Sequence, residues 1–265
     1  MTTPWRNPVR LALEAGGPVL ALTLTTKSLE IAAAAASLGF HFLWVEMEHS
    51  PITLETLREI VLVTRHLPAT VFARVPVVEL WTAKRVLDQG VTGVIFPFTS
   101  TPDLARKAAQ ACRYPPLGLR GSGAGLATTT WPDKSDYYDS ADTNIVTIAM
   151  IEEARAVEAI DEIAATPNID VLFIGTSDLA FSLGHRGRQE PAVQDAIAKI
   201  VAAGKKHGKY LGRPAASADH IRAYMEQGFS LFQCTTELAL LRAAAKQLLE
   251  PLGATAAPVA TKTHY

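Results

Sequence analysis

Cysteine is scarce in this 265-residue chain, with only Cys112 and Cys234 present. Two thiols so far apart, each in an apolar stretch, exclude a thiolate zinc cluster and a secreted disulfide framework, and they suit a reducing cytoplasm. Charge of either sign is not in excess: Lys+Arg number 25, Asp+Glu 26, and the net charge is −1. No overall positive field draws the protein to nucleic acid or to an anionic membrane, and no basic cluster is available for nucleotide phosphates. Uninterrupted apolar runs stay short of the roughly 18 residues of a membrane span. The N-terminal Met1-Thr2-Thr3-Pro4-Trp5-Arg6-Asn7-Pro8 lacks a basic region followed by an apolar core, so neither export nor membrane insertion is expected. A glycine-rich first turn is missing too. The first strand-like run leads into Thr25-Thr26-Lys27-Ser28 with no GxGxxG near it, which disfavours a doubly wound dinucleotide fold.

What the chain does have is a core-rich composition, 48% hydrophobic and 19% charged, long enough for one large domain or two small ones. Short apolar or β-branched runs recur at 19–24, 42–45, 70–75, 92–96, 145–151, 171–174, 209–211 and 231–234, and they read as eight strands. Helical stretches lie between and after them at 29–37, 53–65, 80–88, 102–112, 154–165, 192–207, 218–226 and 237–249; Thr53 and Thr101 stand as N-caps. Strict alternation predicts a parallel sheet, and near-continuous apolarity of the strands says that both its faces are buried. The expectation is an α/β protein with a (β/α)₈ TIM barrel over residues 1–250 and a mobile tail over 251–265. The alanine run 32–36 reads as a helix packed close to its neighbours. Residues 114–144 break the rhythm with proline and glycine clusters, and a stretch this long is expected to be functional or at an interface.

In a parallel barrel the reactive groups follow the C-terminal ends of the strands. Glu46, Glu48 and His49 follow the second run, Arg74 ends the third, Glu152 follows the fifth, and Asp178 lies just beyond the sixth. Glu152 and Asp178 on neighbouring strands suit an oxygen-loving ion such as Mg²⁺ or Mn²⁺, although each could equally cap the helix that follows. Arg74 needs an anion to face, either a substrate or a paired carboxylate such as Glu46 or Asp88. His49 is a candidate for proton transfer, because an unperturbed imidazole changes charge near neutrality. The turn Gly175-Thr176-Ser177-Asp178 opens a helical segment and offers free N–H groups to a carboxylate. A metal pair, an arginine, a histidine and an anion-binding turn at one mouth fit the stabilisation of an enolate beside a carboxylate.

A set of motifs in order along the chain carries a resemblance. It runs through Gly39-Phe40, Val45-Glu46-Met47-Glu48-His49-Ser50, Ala73-Arg74-Val75-Pro76, Leu87-Asp88-Gln89-Gly90, Arg113-Tyr114-Pro115-Pro116-Leu117-Gly118-Leu119-Arg120-Gly121, Ile151-Glu152 and Phe173-Ile174-Gly175-Thr176-Ser177-Asp178-Leu179. Together they resemble the HpcH/HpaI class II pyruvate aldolases, which include 4-hydroxy-2-oxoheptanedioate and 2-dehydro-3-deoxyglucarate aldolases. The resemblance implies an aldehyde-lyase that cleaves or forms a 4-hydroxy-2-oxo acid through the metal-bound enolate of pyruvate or hydroxypyruvate. It implies Glu152 and Asp178 as ligands of a divalent ion, Mg²⁺ or Mn²⁺, with Co²⁺ and Zn²⁺ as further candidates. Arg74 would hold the keto oxygen, and His49 would move the proton with Asp88 as its orienting partner. The amides around Gly175, Thr176 and Ser177 would hold the pyruvyl carboxylate. A homo-hexamer is also implied, in which the last helix, from Leu238 onward, exchanges with a neighbour and loops complete adjacent sites.

Three positions depart from the family pattern: Glu46 replaces an Asp, Met150 replaces a Gln, and Gln233-Cys234-Thr235-Thr236-Glu237 lacks the usual Gly and Asp. These changes bear on substrate and activity more than on fold. Oxaloacetate decarboxylation or macrophomate-synthase-like chemistry would use the same site. A non-catalytic barrel that binds a 2-keto acid is the alternative of another class.

Overall fold

Eight parallel strands close on themselves in sequence order, each hydrogen-bonded to the next and β8 back to β1. They are β1 (Val19–Leu24), β2 (Phe42–Glu46), β3 (Thr70–Arg74), β4 (Gly93–Phe96), β5 (Val146–Ile151), β6 (Val171–Ile174), β7 (Tyr210–Pro214) and β8 (Leu231–Thr236). The structure, a computed structural model, describes residues 5–131 and 137–253. Around the barrel run α1 (Pro8–Glu14), α2 (Leu29–Ala35), α3 (Leu54–Thr64), α4 (Leu80–Asp88), α5 (Pro102–Ala111), α6 (Tyr137–Asn144), α7 (Ala154–Glu158), α8 (Ile160–Ala165), α9 (Thr176–Ser182), α10 (Pro191–Lys206), α11 (Ala218–Gln227) and α12 (Glu237–Leu249). The architecture is a (β/α)₈ barrel, as the alternation of runs predicts. Among the described residues no helix is long and apolar enough to cross a membrane.

Alternation along the strands divides the core in two. Phe42, Trp44, Phe72, Ile95, Ile148, Met150 and Phe173 fill the barrel interior, with Phe42 stacked on Phe72 at 4.3 Å and Trp44 edge-on to Phe173 at 5.0 Å. Their strand neighbours Leu43, Val45, Val71, Ala73, Val94 and Leu172 face the helices in a second, larger cluster. Gly93 is required by this packing. A Cβ there would lie 2.6 Å from the Phe72 ring.

Two elements were not anticipated from the sequence. Helix α1 plugs the N-terminal end of the barrel, placing Val9 and Leu13 in the interior cluster. It is started by Asn7, whose side chain accepts from the Val9 N–H and donates to the carbonyls of Thr92 and Asn144. Helix α6 closes the irregular stretch 114–144, of which 132–136 lie outside the described residues. The helix expected over 154–165 is interrupted at Ala159. Of the tail expected at 251–265, residues 254–265 lie outside the described residues, and Glu250–Leu252 forms a 3₁₀ turn.

Candidate active site

Register, before any side-chain chemistry, decides the neighbours at the barrel mouth. Glu46 at the end of β2 is the direct partner of Arg74 at the end of β3. The Arg74 Nε donates to Glu46 Oε2 at 2.6 Å, so the ion pair that the sequence left open is formed. The second Glu46 oxygen, Oε1, accepts the N–H groups of Glu48 at 2.8 Å and His49 at 3.0 Å. One buried carboxylate thus orients the arginine and folds the following loop over it. Arg74 Nη1 lies 3.1 Å from Glu48 Oε2 and 3.7 Å from the Met150 sulfur, and the guanidinium sits 5.9 Å above the Trp44 ring. Its Nη2 has no partner among the described residues. Glu48 is pushed above the ordinary carboxylate range by burial, opposed by the Arg74 and His49 charges. His49 itself is exposed, with Nε2 3.6 Å from Glu48 Oε2.

Glu152 follows β5 and is 1% exposed. Its Oε1 accepts the backbone N–H of Phe98, in the loop after β4, at 2.7 Å. Its Oε2 makes no hydrogen bond to a described residue. Burial pushes this carboxyl up to about 7 against the Phe98 N–H, and the Asp178 and Glu48 charges add to the rise. Gly175, after β6, makes room for it: a Cβ at 175 would lie 2.5 Å from Glu152 Oε2. Asp178 is exposed, inside the first turn of α9, where it accepts no hydrogen bond from a described residue. Neither carboxylate caps a helix, so the capping alternative does not hold. Glu152, with one oxygen left without a hydrogen bond to a described residue, and Asp178, whose charge reaches it, make an all-oxygen donor pair that would suit a hard divalent cation. Among the described residues no group of three or more His, Cys, Asp or Glu is arranged to hold an ion.

Two of the expected site residues have other partners within the single chain. The Gly175 N–H is spent on the Ile151 carbonyl at 3.2 Å; its contribution is clearance for Glu152, and the amides left free in the first turn of α9 begin at Thr176 and Ser177. Asp88 does not meet His49 within the chain. It lies at the C-terminal end of α4, and because α4 runs back against β3 this is the end of the barrel away from the mouth. There it pairs with Arg120 at 3.1 Å. Arg120 is itself buried against Tyr114 and Tyr137, with ring distances of 4.6 and 5.6 Å.

Glu46, Glu48, His49, Arg74, Glu152 and Asp178 therefore come from the C-terminal ends of four strands and share one mouth. A family model for HpcH/HpaI aldolase/citrate lyase matches residues 21–244. The chain belongs to the HpcH/HpaI aldolase/citrate lyase family. A hydroxypyruvate/pyruvate aldolase of Paraburkholderia phytofirmans is 35% identical over 254 residues, covering 92% of this chain and 96% of that protein. A 5-keto-4-deoxy-D-glucarate aldolase of Salmonella paratyphi C is 34% identical, covering 87% and 88%. Among solved structures, an HpcH/HpaI aldolase/citrate lyase family protein from Burkholderia cenocepacia J2315 matches with a TM-score of 0.84 at 33% identity, over 93% of this chain and 100% of that one. Sequence reading did not single out Phe98, whose contact with Glu152 is made by a backbone N–H that no residue type announces.

Proposed function

We propose that the barrel mouth cleaves and forms 4-hydroxy-2-oxo acids, with pyruvate or hydroxypyruvate as the enolate-forming partner and an aldehyde as the other. The chain is a carbon–carbon lyase, an aldolase of its family. The observation that carries the finer reading is Arg74: a nearly buried cation, fixed at Nε by Glu46, with Nη2 left without a partner among the described residues and its charge acting on Glu152 across the same mouth.

In this reading Glu152 and Asp178 hold a divalent ion, Mg²⁺ or Mn²⁺. When bound, it supplies positive charge that stabilises the developing enolate oxygen. Arg74 Nη2 donates to the same oxygen, and the amides of Thr176 and Ser177 hold the substrate carboxylate. His49, exposed at the rim, accepts the proton of the 4-hydroxyl. The C3–C4 electron pair then becomes the enolate double bond, the aldehyde leaves, and protonation at C3 gives the 2-oxo acid. Asp88 can orient His49 only from a second copy of the chain, as in the hexamer that the family resemblance implies.

Purified protein with Mg²⁺ or Mn²⁺ is expected to release pyruvate and an aldehyde from a 4-hydroxy-2-oxo acid, and to stop when the ion is chelated. Release of CO₂ from oxaloacetate with no aldehyde from any 4-hydroxy-2-oxo acid would assign the site to decarboxylation instead.

A further inference from the structure

The least expected backbone in the site belongs to the residue that clamps Glu152. Phe98 lies in the left-handed region, at φ 44°, where a bulky side chain is strained and glycine is not. Surrounding bonds hold it there. Its N–H donates to Glu152 Oε1 at 2.7 Å, and its carbonyl lies 3.0 Å from the Ser100 hydroxyl, which also contacts the Glu153 carboxylate. The next residue is tied to both flanking strands: the Thr99 N–H donates to the Met150 carbonyl and its hydroxyl to the Phe96 carbonyl, each at 3.1 Å. None of these bonds uses the ring. Glycine at 98 would make the same bonds with the strain removed.

Core packing does not account for the aromatic side chain, since Phe98 is 39% exposed. Its place is at the mouth, in the loop after β4, across Glu152 from the turn at Thr176 and Ser177. The donor groups proposed for the 2-oxo acid, Arg74 and that turn, are on β3 and β6. The loop from Pro97 to Pro102 carries no charged residue. The nearby Arg155 is paired with Glu153 at 2.7 Å. Among the described residues of this loop and the start of α7, no unpaired cation is present to meet an anionic acceptor.

We propose that the Phe98 ring is the apolar wall of the acceptor subsite, selecting aldehydes with an uncharged, apolar substituent beside the carbonyl. Its strained backbone fixes Glu152 with Oε2 turned to the cation. This inference rests on the aldolase reading above and names the acceptor class for that site.

Phe98→Gly and Phe98→Asn test it, because both residues tolerate the left-handed conformation and keep the N–H. Three quantities are read on the full-length protein: thermal midpoint, exchange of the pyruvate methyl protons in D₂O, and KM for benzaldehyde and for glyoxylate. Phe98→Gly, which keeps the N–H to Glu152, is expected to raise Tm; methyl exchange and calorimetric Mn²⁺ affinity are read beside it to show whether the Glu152 clamp survives. Its KM for benzaldehyde should rise about tenfold or more, on the scale of losing apolar pocket contacts, while KM for glyoxylate changes little. Phe98→Asn should share the KM defect, and Phe98→Leu should recover most of it. Unchanged benzaldehyde KM in both Phe98→Gly and Phe98→Asn, with methyl exchange intact, would overturn the wall while leaving the aldolase reading standing. No methyl exchange in the unsubstituted protein would overturn the aldolase reading and this inference with it.

Discussion

Arg74 combines two properties that seldom meet in one side chain, permanent charge and an exposure of only 11%. Its partner Glu46 is 2% exposed, so the pair is a fixed donor aimed at the mouth. Replacing Arg74 by Ala is expected to lower kcat by about 10² or more, the scale of a lost oxyanion donor. Arg74→Lys should fall close to it, because an ammonium cannot bond Glu46 and the substrate from one planar fork. A near-normal kcat in Arg74→Ala would remove this residue from the chemistry. Glu152 gives a second prediction, with a sign. Its carboxyl titrates at about 7 in the fold, against about 4.3 for an ordinary glutamate. Between those values the folded chain holds a proton that the unfolded chain has lost, so stability is highest below the window and falls as pH rises through it. With chelator present, Tm should decline from about pH 5 to about pH 8. Mn²⁺ should raise Tm more at the upper pH, where the cation no longer competes with a proton. An equal Mn²⁺ effect at both pH values would contradict the assignment of Glu152 as a ligand.

Elements were legible in the sequence wherever an apolar run or a good cap marked them. All eight strands lie on the predicted runs, and Arg74, Glu152, His49 and Asp178 stood out because each is a polar residue at or just beyond the end of a run. What could not be read acts through backbone or through distant pairing. Phe98 serves with its N–H, Gly175 with the Cβ it lacks, and the Asp88 partner is Arg120, 32 residues away. Helix α1 carries a short pattern, Asn7 before Pro8, whose meaning depends on the barrel end it plugs. The stretch 114–144 looked irregular because polar pairing helps to anchor it: Arg120 is buried between two tyrosines and bonded to Asp88 and the Tyr137 hydroxyl. Arg120→Ala is expected to destabilise the protein by about 3 kcal/mol, the scale of breaking a buried pair, measurable by urea unfolding. A change within about 0.5 kcal/mol, typical of surface substitutions, would show that the segment is held by something else. Gly93→Ala, forced against the Phe72 ring, should cost about 1–3 kcal/mol for overpacking.

Taken singly, the chain leaves apolar surface uncovered. Helix α12 buries only Glu237, while Leu241 and Leu248 are 64% and 69% exposed. These leucines are where the hexamer implied by the family resemblance would find contacts, and on the proposed mechanism the same assembly would bring Asp88 to His49. Light scattering is expected to give about six times the protomer mass, and Leu241→Asp with Leu248→Asp to lower it together with the activity; a fully active monomer would contradict both. The enolate itself can be tested without knowing the aldehyde. Pyruvate methyl exchange followed by NMR in D₂O, with Mg²⁺ or Mn²⁺, with chelator and in His49→Ala, addresses it directly. Exchange that requires the ion and Arg74, and that slows in His49→Ala, is the predicted result. No exchange of pyruvate or hydroxypyruvate protons with any divalent ion would contradict the enolate mechanism and leave a barrel that binds 2-oxo acids without turning them over.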